Sequence, residues 1–469
     1  MPTTKQIALA VETTPGVAAT LDGDTVLDGV LSIEMTDNVE LRDAEPATGT
    51  LSPSAQPVGQ RTSEIQIELA LKGSGTATDP PRFAPAILAS GFRAVDVHTL
   101  AFTTASETNE QLEVGDLLTG NTSGATALVA ATAKIGAATV VVVPLSGTWQ
   151  TSEQVNSAQH GANIGTAHGT AVLSGSAVGI AYRPVTYAEV SCDATGSFSG
   201  GTPSAGDSVK FTTGSTLIGE GEFVSHASDV LSVRLFWGTI TAGCVCTTTA
   251  GETITIDTPA GVVAAIGPQA SARYLRGNRA KLLNHARANF EVNVDAGQSA
   301  TFRATITGQP GTVGDGTRIT PTNLPATTAP IFAKDATSLI GGANIAGARI
   351  PVRSVQVSAG ATVTQVPDAN SVNGSKGGEI TARAATLSIT VEQAGIAAVN
   401  LHALRDAGTT IPIGVEIGTT AGNRMSIICR AAQITQLADQ DDNGTATYQV
   451  STNLVTPGDG DDELFLVFS

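Results

Sequence analysis

Apolar and polar residues alternate along much of the chain, the two-residue period of a strand with one buried face. Three segments carry it most plainly: Glu64-Ile65-Gln66-Ile67-Glu68-Leu69, Phe290-Glu291-Val292-Asn293-Val294-Asp295 and Leu387-Ser388-Ile389-Thr390-Val391-Glu392. Each puts aliphatic side chains on one face and polar ones, often acids, on the other. The polar members form one set: Glu64, Gln66, Glu68, Glu291, Asn293, Asp295, Thr390 and Glu392. Alternation defines two faces but not which is inner, so this set faces either bulk solvent or the interior of an assembly. Turn signals punctuate the strands at Asp22-Gly23, Gly277-Asn278, Asn373-Gly374, Asn443-Gly444 and Gly458-Asp459-Gly460. Helical patterns are few. Ala84 to Gly91 is a short apolar turn closed by glycine, and Gly395 to Ala407 places Ile396, Val399 and Leu404 near one face with Arg405 in its last turn. Both read as plugs on a sheet. The pattern predicts an all-β protein.

At 469 residues the chain exceeds one ordinary β-domain and suffices for two or three. Two stretches look inserted, about 105–181 and 194–270, with a core strand at 182–193 between them. Each runs from a Gly-Asp turn through short strands and a Gly-rich turn to a Trp, Trp149 in the first and Trp237 in the second. That order suggests a diverged duplication of a small β-module. The remaining core is then 1–104 and 271–469.

Composition narrows the function. Charged residues are only 14%, replaced by Thr, Ser, Ala and 51 Gly, which suits short strands and turns. The net charge of −17 argues against a nucleic-acid binder, which needs a basic stripe. The tightest basic cluster, Arg273, Arg276, Arg279, Lys281 and Arg287, has no interleaved aromatic platform. Met1 to Ala10 lacks the apolar core of a secretory signal, and the longest apolar run, Ala137 to Leu145, is about half a membrane span. The expectation is synthesis and solubility in the cytoplasm, without membrane insertion.

No catalytic or cofactor motif is found. There is no Gly-Lys dipeptide for a phosphate loop, no H-E-x-x-H and no G-x-S-x-G. Cys192, Cys244, Cys246 and Cys429 lack partners at zinc spacing and read as buried thiols. His160 and His168 read as solvated loop residues. Asp439-Gln440-Asp441-Asp442-Asn443-Gly444 matches the opening of an EF-hand loop, but its twelfth position is Val450 where a bidentate acid belongs, so an acidic hairpin turn is the favoured reading. Asp459, Asp461, Asp462 and Glu463 precede the apolar end Leu464 to Phe468, which completes a sheet either in its own chain or in a neighbour. The protein is expected to be no enzyme and to need no metal or cofactor.

In their order, several phrases resemble the tail tube (major tail) proteins of long-tailed bacteriophages. The opening Ala8-Leu9-Ala10-Val11-Glu12-Thr13-Thr14-Pro15-Gly16 is followed by a long polar segment, Leu41 to Arg61, and a strand ending in Gly73-Ser74-Gly75. Pro85-Ala86-Ile87-Leu88-Ala89-Ser90-Gly91-Phe92, Ala288 to Gly308, Gly378 to Arg383, Gly418 to Arg424 and Asp461 to Leu464 continue the match. It covers about 1–104 and 271–469 and leaves the insertions out. The chain is long for that family, and Arg276 to Arg287 is unusually basic for that junction.

The resemblance implies a β-sandwich with a helix at its flank. Six subunits close a ring whose sheets join into an inner barrel. Rings stack around a tape-measure protein, with terminator and tip proteins at the ends. DNA passes the lumen without specific binding. Six copies of −17 carry −102 formal charges, and an acidic lumen repels phosphate. The eight polar residues of the alternating strands become lumen candidates. Arg42, Asp43, Glu45, Pro46, Pro53, Gln56 and Arg61, in the long polar segment, become candidates for stacking one ring on the next. By the same resemblance the insertions decorate the outside and touch host surfaces. The competing expectations are a tail-tip or capsid decoration protein and a carbohydrate-binding β-module, the latter resting on Trp149 and Trp237.

Overall fold

The computed structural model describes residues 5–12, 18–41, 58–102, 111–146, 149–166, 173, 176–185, 188–201, 203, 207–214, 216–227, 230–238, 240–248, 250–263, 268–324, 331, 343–345, 348–393, 395, 399–418, 420–442, 444–457 and 461–469. Among them lie 30 strands and two short helices, so the chain is all-β. They group into two compact units, Met1–Pro184 with Gln269–Ser469, and Val185–Pro268.

An eight-stranded antiparallel sheet organises the larger unit. Its strands, numbered in chain order, are β1 (Val30–Leu41), β2 (Val58–Ala70), β3 (Arg279–Asp295), β4 (Thr301–Asp315), β5 (Val352–Ser358), β6 (Thr386–Glu392), β7 (Met425–Asp442) and β8 (Thr445–Leu454). Across the sheet they run β1-β2-β4-β3-β5-β6-β8-β7. One face is aliphatic and aromatic, with Ile67, Phe290, Phe302, Val357, Ile389 and Val450 all buried in a single core. Burying Val, Leu, Ile or Phe contributes about 1.5–3 kcal/mol each, so this face holds the sheet together.

β3 and β7 are long because each serves two layers. The first half of β3 pairs with Ala270–Arg276, which pairs with Lys5–Val11. The first half of β7 pairs with Thr410–Ile417 and with Phe465–Phe468. Register shifts at Asn284/Arg287 and Ile434/Gln436 interrupt the two ladders, and such bulges bend a strand. At the first shift His285 has φ 52, the left-handed region that costs a bulky residue.

Two six-residue helices lie beside the layers. Ala84–Ala89 (α1) carries Pro85 in its first turn and is released by Gly91 at φ 81, where a Cβ would be strained. Leu401–Asp406 (α2) is shorter than the 395–407 pattern predicts, because Asn400 caps it by accepting from the Ala403 N–H at 3.0 Å. Residues 394 and 396–398 lie outside the described residues.

The apolar C-terminus completes a sheet of its own chain. Phe465–Phe468 lies between β7 and Gly179–Pro184, and the latter pairs onward with Phe92–Ala101. The acids before it are clamped. Arg383 reaches Asp461 at 2.5 Å and Glu463 at 2.9 Å, Arg430 pairs with Asp462, and the Arg183 guanidinium donates to the Asp461 carbonyl at 2.8 Å.

Strands of the 105–181 stretch join the same unit. Thr139–Ser146 pairs with Phe92–Ala101, and Leu117–Gly120, Thr126–Val129, Gln154–Ser157 and Gly161–Thr166 follow in the ladder. Trp149 is buried in its core rather than presented on a surface. Buried Asp116 ties this part to Ala343–Ile345. It accepts from Asn344 Nδ2 at 2.9 Å and from the Glu113 N–H at 2.8 Å. His160, read from sequence as a solvated loop residue, instead meets Asp116 Oδ2 at 3.0 Å. Burial pushes the Asp116 carboxyl above the usual aspartate range despite these contacts. His168 lies outside the described residues.

The smaller unit is one seven-stranded sheet, in the order Thr253–Thr255, Val245–Thr248, Ser208–Thr213, Thr216–Ala227, Val230–Gly238, Ala188–Asp193, Thr258–Val263. Cys192, Cys244 and Cys246 are buried in its core as free thiols. Burial first, then neighbouring Cys244 and Cys192, push the Cys246 thiol up to about 12, so it is not a reactive thiolate.

Candidate functional site

The second face of the eight-stranded sheet is largely polar, with Ala70 and Ala438 among its few apolar positions. In antiparallel pairing, directly opposed residues project to the same side. Ser32 opposes Glu68, Glu68 opposes Arg303, Arg303 opposes Glu291, and Glu291 opposes Ser358. The row continues through Thr386 and Asn453 to Gln433. A neighbouring row reads Thr301, Asn293, Gln356, Ser388, Ser451 and Gln436. Three strands recognised separately from their alternation therefore present one surface. Glu64, Gln66, Glu68, Glu291, Asn293, Asp295, Thr390 and Glu392 all lie on it, each half-buried or exposed.

Hydrogen bonds hold these side chains in place. Gln66 Nε2 donates to Glu64 at 2.7 Å, Gln356 Nε2 to Glu291 at 2.7 Å, and Arg303 Nη2 to Glu68 at 2.8 Å. Arg353 reaches Glu392 at 2.7 Å and Asp442 at 3.8 Å. Thus Arg303 and Arg353 partly neutralise the acids. Alternation within a single strand does not reveal them, since their partners come from strands distant in sequence. Each exposed pair is worth little for stability, about 0–1 kcal/mol, but sets where charge stands on the face.

At one side the face descends into an open hollow of about 950 Å³. Glu34, Gln66, Glu68, Glu291 and Arg303 line it, together with Lys5, Arg276, Arg279 and Lys281. Part of the basic cluster read from the sequence therefore stands beside the acidic rows. Lys281 pairs with Asp37, and Arg273 donates to the Thr317 carbonyl at 2.8 Å. Burial would raise the Asp37 carboxyl, but Lys281 and Ser63 hold it below the usual range.

Among the described residues, β1 pairs only with β2, and the end of β7 from Gln436 to Asp442 pairs only with β8. Leu31, Val39 and Leu41 on β1 are about half exposed or more. Long exposed edges invite pairing with another chain. Lys5 Nζ rests on the Ile33 carbonyl at 3.1 Å, beside the β1 edge.

The other candidates are placed as follows. Arg42, Asp43, Glu45, Pro46, Pro53 and Gln56 lie outside the described residues, as does residue 443. Arg61 is exposed, and its backbone N–H donates to the Asn373 carbonyl at 3.0 Å. The acidic Asp439–Gly444 run is the β7–β8 hairpin. Gly444, at φ 83, donates its N–H to Asp441 Oδ1 at 2.7 Å. Among the described residues no group of His, Cys, Asp and Glu is arranged to hold a metal ion, and no helix is long and apolar enough to cross a membrane. The chain matches no family model and no curated protein sequence.

Proposed function

We propose that this chain is a structural subunit of a long-tailed bacteriophage tail tube. One observation carries the reading: a largely polar face runs across eight strands, most of its reverse is buried in the core, and among the described residues the two lateral strands each keep an unpaired edge. A sheet of this kind closes by pairing edge to edge with its own copies, which removes the exposed edges. The polar face then lines a channel. Its acids, Glu34, Glu64, Glu68 and Glu291 among them, repel phosphate, while Arg303 is occupied by Glu68. DNA slides past such a wall without specific contacts. The −17 net charge and the ordered sequence phrases support the same reading. The long segment between β1 and β2 serves ring stacking, and the tape-measure, terminator and tip proteins are the expected partners.

Electron microscopy of the purified protein tests it. Hollow rings or filaments are expected. Stable monomers at high concentration contradict the proposal.

A further inference from the structure

The strand order of the polar sheet repeats. β1-β2-β4-β3 is followed by β5-β6-β8-β7, the same arrangement of four. The chain path repeats too. α1 follows β2 and α2 follows β6; Ala270–Arg276 enters β3 by a hairpin as Thr410–Ile417 enters β7.

The register is also the same. Ile33, Ile67, Ala304 and Phe290 oppose one another in turn on the core side, as do Val355, Ile389, Val450 and Leu437. On the polar side Ser32, Glu68, Arg303 and Glu291 correspond to Ser354, Thr390, Gln449 and Ala438. The alignment fixed by pairing leaves a trace in sequence. Val30-Leu31-Ser32-Ile33-Glu34-Met35 aligns with Val352-Arg353-Ser354-Val355-Gln356-Val357, and Ala300-Thr301-Phe302-Arg303-Ala304-Thr305 with Ala446-Thr447-Tyr448-Gln449-Val450-Ser451. A repeated supersecondary unit accounts for topology, register and sequence together.

We infer that the chain carries two copies of one four-stranded unit, and that its open edges bind second copies of the chain in the register of the internal junction. That junction is β3 against β5, where Glu291 opposes Ser358, Asn293 opposes Gln356 and Asp295 opposes Ser354. Transferred to the free edges, β7 of one copy meets β1 of the next with Ala438 opposite Thr36, Gln440 opposite Glu34 and Asp442 opposite Ser32. The chemistry matches: the amide–amide pair Asn293/Gln356 becomes the amide–carboxylate pair Gln440/Glu34. Asp441 falls opposite Ile33, where Lys5 Nζ already stands on the carbonyl. An acid from one copy thus meets a cation of the other.

This inference rests on the tube reading for its ring count. If the ring holds six four-stranded units, three chains supply them, not six. Three chains of eight strands make 24, and at ~4.8 Å per strand the barrel is ~37 Å across its backbone before tilt, against ~73 Å for six chains. The narrower barrel suits a single duplex.

The test is the double variant Glu34→Cys/Gln440→Cys, oxidised after assembly, with the symmetry of the unmodified tube read by electron cryomicroscopy. Directly opposed antiparallel residues lie at disulfide-compatible separation. The four native cysteines are buried and stay silent. Both positions are polar and solvent-facing, so the variant folds. The expected result is a denaturing-gel ladder that ends at three chains, no ladder from either single variant, and three-fold rings. A ladder or symmetry of six overturns the inference and leaves the tube standing. Tubes without cross-links overturn the edge register. A chain that forms no rings contradicts both readings.

Discussion

Glu12 holds His285 in its left-handed turn: one carboxylate oxygen accepts the His285 backbone N–H at 2.8 Å and the other meets Nδ1 at 3.2 Å. Ser271 Oγ donates to the same carboxylate at 2.8 Å. This buried group pins the point where β3 passes from one layer to the other. Burial alone would raise the Glu12 carboxyl, but the His285 side chain and backbone and Ser271 hold it below the ordinary glutamate range. A depressed folded-state value contributes stability above the unfolded value, near 4.5, that is lost as pH falls through the folded one. Glu12→Gln should cost about 1–3 kcal/mol at pH 7. Denaturant melts of both proteins from pH 7 to pH 3 check this: the difference should shrink on acidification, and a constant gap contradicts it.

The Arg383 clamp predicts a local effect. Its guanidinium joins Asp461 and Glu463, both largely buried. Arg383→Ala should cost about 2–3 kcal/mol, because two acids lose their partner. Hydrogen exchange should accelerate at Phe465–Phe468 before it does in β5 and β6. Uniform acceleration would refute the local role.

Reversing charge on the polar face separates stability from function. Glu64→Lys and Glu291→Lys touch no core contact, so each should change stability by no more than about 0.5 kcal/mol. Glu68→Lys is the exception to watch, since it also leaves Arg303 beside a like charge. The triple variant should assemble and slow DNA delivery, measured as genome ejection from phage carrying it. Unchanged delivery removes these residues from the lumen.

Deleting residues 43–56 should permit rings and prevent their stacking. Sedimentation and negative-stain images distinguish the two, and full-length tubes from the deletion variant refute the stacking role.

Much of the sheet was legible from sequence because a strand's two-residue period is local. Glu64, Glu291 and Thr390 could be put on the polar sides of their strands without knowing their neighbours. That these strands form one surface was not legible, since it depends on pairing between residues more than two hundred positions apart, such as Glu68 with Arg303. The internal repeat was hidden for a physical reason. Val292 and Val294, buried where β3 meets β5, correspond to Asp439 and Asp441 at the end of β7, and the strand connections within the two units differ in length. The order of turns and Trp in the two inserted stretches suggests a duplication there, whereas the repeat of strand order and register lies in the polar sheet. The Asp116–His160 contact and the docking of Phe465–Phe468 in its own chain likewise depend on tertiary placement.

The most direct test of the central claim is electron cryomicroscopy of the assembled full-length protein. The expected result is a hollow tube whose wall is a closed antiparallel barrel with Glu64, Glu68 and Glu291 pointing into the lumen. A tube with those residues on its outer surface, or a protein that remains monomeric at high concentration, would contradict it.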